Sequence, residues 1–171
     1  MLELPYGMEL KGEVSFKKDA YKTNLTFKED KALVKLDGSY QSQSEDYQIT
    51  VSIDSLQPNH FMPKDSLYWL TASAAIKGKG FDLYSARTSS LLQATISDIK
   101  YGRNSVSEIQ LNGRLKNHAY ELQLESGYPL ALLKASVSGI LQRNKAEMNL
   151  DAQIEHLNLY RLHFVDVPLS T

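Results

Sequence analysis

The chain predicts an all-β fold: an antiparallel, strongly curved, elongated sheet of about ten strands, U-shaped like a half-barrel, with an internal repeat and little or no helix. Three observations predict it. Apolar and polar residues alternate with period two along most of the 171 residues, as strands with one dry and one wet face do. The interruptions are short and polar, as hairpin turns are. Residues 34–57 recur at 135–158 without a gap: with Gly38 on Gly139, Leu36 meets Val137, Ile49 meets Leu150, Val51 meets Ala152 and Ile53 meets Ile154. Parallel strands covered on both faces would be apolar throughout, so the alternation specifies an antiparallel sheet.

The elements follow in order. Residues 8–16 are apolar or small at every even position, from Met8 and Leu10 to Val14 and Phe16. Strands at 20–27, 32–41 and 46–55 are separated by polar turns at 28–30 and 42–45. Residues 56–66 form an irregular stretch punctuated by Pro58 and Pro63. Strands follow at 68–79 and 89–100, and the stretch 81–88 between them is irregular, with a short helix expected near 84–91. Strands at 107–116, 119–126, 130–141 and 146–155 complete the set, with Asn117-His118 and Asn144-Lys145 as turns.

The repeat reaches past its clearest part. Met8, Leu10, Gly12 and Val14 match Ile109, Leu111, Gly113 and Leu115, and the length differences between copies fall in the turns. The chain is therefore read as one β-repeat segment over 1–171, with a first unit at about 8–106 and a partial second at about 107–168. Alternation slips by one residue after Ile53, Ile96 and Ile154. A β-bulge at each place would bend the strand and restore the facing of the next apolar residue.

The inward set is Leu10, Val14, Leu36, Val51, Ile53, Ala72, Ala74, Ile76, Ala94, Ile96, Leu111, Leu115, Leu122, Leu124, Val137, Leu150, Ala152 and Ile154, with Leu25 and Ile49 beside them. Burying one aliphatic side chain contributes roughly 1.5–3 kcal/mol, so this face needs a cover, and no helix is available to supply one. The sheet closes on itself as a sandwich or barrel, or it curls into an open trough covered by lipid or by the next repeat. Gly12, Gly38, Gly78, Gly80, Gly113 and Gly139 lie on or beside the dry face. Glycine within strands marks bends and close approaches, which favours curvature.

Composition excludes several functions. A net charge of -1 argues against nucleic acid as a partner. No run of 18 apolar residues is present, and Met1-Leu2-Glu3-Leu4-Pro5 does not read as a secretory signal. The absence of cysteine removes thiol catalysis and thiolate metal sites. His60, His118, His156 and His163 are scattered, so no metal or other cofactor is expected. Asp37, Asp54, Glu108, Glu121, Asp151 and Glu155 fall on the wet face. Gly78-Lys79-Gly80 lacks the spacing of a phosphate loop, no nucleophile elbow occurs, and an enzyme is not expected. Asn24-Leu25-Thr26 is a glycosylation sequon inside a strand, and Asp54-Ser55-Leu56 and Asp65-Ser66-Leu67 match a short acceptor pattern of exported bacterial glycoproteins. Tyr68, Trp69, Tyr84, Tyr101, Tyr128 and Tyr160 are too dispersed to form a carbohydrate platform.

The stretch Ala74-Ala-Ile-Lys-Gly-Lys-Gly-Phe-Asp-Leu-Tyr-Ser85, then Leu92-Gln-Ala-Thr-Ile-Ser-Asp-Ile-Lys-Tyr-Gly102, then Ile109-Gln-Leu-Asn-Gly-Arg-Leu115, resembles the AsmA-like superfamily. It is most similar to the repetitive β region of TamB-type translocation and assembly module proteins of Gram-negative envelopes. The resemblance implies a periplasmic β-taco belonging to a longer protein anchored in the inner membrane. Its hydrophobic groove would carry phospholipid acyl chains toward the outer membrane and serve outer-membrane assembly. Implied partners are neighbouring repeats and an outer-membrane barrel assembly protein, and cut edges would drive edge-strand or groove-mediated self-association. The inward set above would line the groove. The alternative is a closed β-sandwich, a structural, interaction or carbohydrate-binding module with no lipid groove.

Overall fold

The computed structural model describes residues 7–64, 66–158 and 160. Ten strands run in chain order: β1 (Glu9–Lys17), β2 (Ala20–Glu29), β3 (Ala32–Gln41), β4 (Asp46–Leu56), β5 (Leu67–Lys79), β6 (Ser89–Tyr101), β7 (Asn104–Lys116), β8 (Ala119–Ser126), β9 (Ala131–Gln142) and β10 (Lys145–Leu157). They form one sheet in which each strand pairs antiparallel with the next, and the sheet does not close, since β1 and β10 are its two edges. The only helical element among the described residues is a 3-10 turn at Pro58–His60, opened by its own proline. No helix among them is long and apolar enough to cross a membrane.

The helix expected near 84–91 is absent. Asp82 captures that segment instead: its carboxylate accepts from the Tyr84 N–H at 3.0 Å, and its carbonyl accepts from the Ser85 N–H and the Thr88 hydroxyl. These side-chain and turn bonds compete with a helical ladder, and β6 begins at Ser89.

The slips in alternation are bulges. On β4 the register shifts between Ile53 and Leu56, with Ser55 at φ +57°. On β6 Ile96 faces Ala72 while Asp98 faces Thr71, leaving Ser97 extra. On β10 the register shifts between Ile154 and His156. After the shifts Leu56, Leu70, Ile99 and Val106 pair across four strands, so the apolar face continues past the bulges.

The repeated hairpins keep their facing and change their register. Gly38 faces Ile49, whereas Gly139 faces Met148 and not Leu150. The β3–β4 turn has four residues between Gln41 and Asp46. The β9–β10 turn has two, between Gln142 and Lys145. A change of two residues preserves which side chains point inward.

Candidate functional site: an open apolar face

Directly opposed residues in antiparallel strands share a face, so the pairings trace rows across the whole sheet. One row runs Gly12, Leu25, Leu36, Val51, Ala74, Ala94, Leu111, Leu124, Ala135, Ala152. A second runs from Leu10 through Phe27, Val34, Ile53, Ala72, Ile96 and Ile109 to Leu133 and Ile154, with Ser126 as its one polar member. A third contains Val14, Ile49, Ile76, Leu92, Leu122, Val137 and Leu150. Leu115 lies in a fourth, opposite Ser90 and Tyr120. The rows bring all eighteen inward residues named above onto one face.

That face is not enclosed. Among the described residues Ala32 and Leu115 are buried aliphatic side chains. The middle of the sheet is half-buried by lateral neighbours, and the edges are open: Leu10 is 71% exposed and Leu150 67%. The cover expected for the dry face is therefore not supplied by a second layer among the described residues; strand neighbours bury it only in part.

Glycines on this face make room for their partners. A Cβ on Gly78 would lie 2.5 Å from the Tyr47 hydroxyl, and one on Gly139 would lie 2.9 Å from the Tyr120 hydroxyl. Both tyrosines lie across the glycine of the paired strand, and Tyr120 donates onward to the Glu147 carbonyl of β10 at 3.2 Å. On Gly12 a Cβ would collide with Leu25.

The two ends of the face differ. At one, Phe61 packs edge-on against Phe27, and His60 Nδ1 lies 2.7 Å from Oε1 of the buried Glu29. At the other, five rings touch in series. Phe16 meets Tyr21 edge-on, Tyr21 meets Tyr40, and Phe81 bridges Tyr40 and Tyr47, stacking on the latter at 5.1 Å. The sequence reading missed this cluster. Its signal was positional: Phe16, Tyr21, Tyr40 and Tyr47 each take the last inward place beside a hairpin turn.

The reverse face is polar. Lys134 pairs with Glu125 at 2.8 Å, and that hydrogen bond and charge raise the Lys134 ammonium above its usual range. Lys11 bonds Glu9 and holds its carboxyl below the usual carboxylate range. A shallow depression of about 500 Å³ on this side is lined by Gln48, Lys77, Gln93, Asn112, Arg114 and Glu121 together with the apolar Ala75 and Leu91. No group of three or more His, Asp or Glu side chains placed to hold a metal ion occurs among the described residues. His163 lies outside the described residues, as do Asp65 of the acceptor pattern and the end of the second repeat unit beyond Tyr160.

No protein-family model, curated protein or solved structure matches the chain.

Proposed function

We propose that the chain is a lipid-bearing wall of a TamB- or AsmA-like envelope protein, without enzymatic activity of its own. The observation that carries this reading is the set of apolar rows that cross all ten strands and remain open to solvent. In it the segment lies in the periplasm as part of a longer protein anchored in the inner membrane. Acyl chains of phospholipids travel along the rows between inner and outer membrane, neighbouring repeats extend them, and an outer-membrane barrel assembly protein receives the far end.

Acyl chains need apolar wall and no specific polar chemistry. Each methylene removed from water contributes about 0.8 kcal/mol, so partial cover of one chain by this face supplies several kcal/mol. Ala72, Ala74, Ala94 and Ala152 leave width along the rows. The bulges and inward glycines favour a curled, taco-like sheet. So does the β5–β6 loop. Phe81 touches Tyr40 of β3, while Asp82 Oδ2 lies 3.6 Å from the Arg143 guanidinium beside β9. In a flat sheet those strands would be six spacings, roughly 29 Å, apart.

The sandwich alternative requires a second sheet, and the ten strands form one.

The test is binding of labelled phospholipid to delipidated protein. The wild type is expected to bind, and an Ile53→Asp/Ile96→Asp variant of unchanged circular dichroism to lose most of that binding. Absence of binding by the wild type, or equal binding by the variant, sinks the reading.

A further inference from the structure

We infer that the loop of residues 80–88, with the aromatic end of the sheet, docks on a bilayer surface bearing anionic phospholipid. This contact does not depend on acyl chains lying along the apolar rows, and the two readings fail separately.

The loop is the longest connection at its end of the sheet, nine residues where the other turns there have two or four. Its shape is set by polar groups. The Gly80 N–H donates to the Glu45 carbonyl at 3.1 Å with Gly80 at φ +73°. The Thr88 hydroxyl, on a residue 3% exposed, donates to the Asp82 carbonyl at 2.6 Å. Asp82 and Ser85 close the turns between them.

The large apolar side chains of the loop are left outside that framework. Phe81 is 64% exposed, Leu83 53% and Tyr84 45%. Three such side chains within four residues of a braced loop are unlike ordinary connections, whose exposed positions are polar. Phe16, 70% exposed, adds a fourth large apolar side chain at the same end. Aromatic rings with one apolar and one wet side favour the headgroup boundary of a bilayer.

Charge selects the kind of bilayer. Lys17, Lys18, Lys79, Arg87, Lys116 and Arg143 stand at this end against Asp19, Glu45, Asp46 and Asp82. Asp82 is compensated by the Arg143 guanidinium 3.6 Å away, which leaves Lys17, Lys18, Lys79, Arg87 and Lys116 against Asp19, Glu45 and Asp46. The opposite end has no basic excess: Glu29, Asp30, Asp98 and Glu108 stand near Lys28, Lys31, Lys64, Lys100 and Arg103, with Asp54 and Glu155 beside the bulges. Apolar insertion combined with basic groups is the recognition mode of peripheral contacts on anionic membranes.

The experiment is co-sedimentation of the whole chain with vesicles of phosphatidylcholine containing about one-third phosphatidylglycerol, a fraction at which basic groups add to apolar insertion. Leu83→Ser/Tyr84→Ser spares the ring stack on Tyr47 and is expected to lower vesicle partitioning by about tenfold or more. Ile53→Asp/Ile96→Asp is expected to partition like the wild type. A second readout uses Leu83→Trp combined with Trp69→Phe, whose emission should be quenched by brominated lipids. Failure of the wild type to sediment, unchanged partitioning of the loop variant, or an unquenched Leu83→Trp emission overturns the inference. Loss in the Ile53→Asp/Ile96→Asp variant alone also overturns it, and assigns vesicle binding to the apolar rows.

Discussion

Gly78 has no side chain because Tyr47 occupies the space one would take. A Cβ there would lie 2.7 Å from the Tyr47 ring and closer still to the Ser89 carbonyl oxygen. The ring could rotate, but the carbonyl belongs to the β5–β6 ladder and cannot move without breaking it. Gly38 offers a control on the same face, where the nearest atom is one methyl of Thr23 at 2.9 Å. Overpacking costs about 1–3 kcal/mol, so Gly78→Ala should fall in that range, and Gly38→Ala should cost about 1 kcal/mol or less. Urea unfolding midpoints compare the two. Equal destabilisation would mean that intrinsic strand preference, and not crowding by the Ser89 carbonyl and Tyr47 at Gly78, governs these positions.

At the scale of elements, the β7–β8 turn isolates a local cost. Asn117 and His118 both adopt positive φ, 50° and 67°, as a two-residue turn matched to the strand twist requires. Asparagine tolerates that conformation and histidine does so less well. The His118 Nδ1 is also buried without a hydrogen-bond partner. His118→Gly removes both penalties and should stabilise the chain by about 0.5–1 kcal/mol, measured as a raised unfolding midpoint; a lowered midpoint would show that the imidazole packs usefully. This turn was readable from two polar residues between alternating runs, as were all ten strands to within a few residues, because period two is a local property of the chain. The bulges were readable for the same reason, as a one-residue slip at Ile53, Ile96 and Ile154. Cross-strand register was not. A gapless match of 34–57 with 135–158 conceals that four turn residues in one hairpin become two in the other, since Gln142 lies in a strand in either register. The aromatic end was invisible until register placed Phe16, Tyr21, Tyr40 and Tyr47 in one row. The loop of residues 80–88 was misread toward helix because its fold depends on what the Asp82 carboxylate and carbonyl accept, and no periodicity records that.

At the scale of the whole molecule, the edges dominate. Among the described residues no strand pairs with the outer side of β1, nine residues long, or of β10, thirteen. Val14 on one and Leu150 and Ile154 on the other are well over half exposed. Natural sheets usually blunt such edges with inward charges, proline or bulges. Here the inward positions of β1 are Leu10, Gly12, Val14 and Phe16, and the single bulge of β10 lies near its end. The chain should therefore self-associate in dilute buffer, with weight-average mass rising with concentration in sedimentation equilibrium. A lysine placed inward at an edge blocks strand addition while leaving the central rows intact, so Val14→Lys/Leu150→Lys should hold the chain monomeric. The same variant separates edge pairing from face pairing. If association runs through the apolar rows, Ile53→Asp/Ile96→Asp abolishes it and the edge lysines change little. If it runs through the edges, the dependence is reversed. A chain that stays monomeric at every concentration would mean that β1 and β10 are protected by features other than their inward side chains, and would count against a sheet built to be extended by further strands.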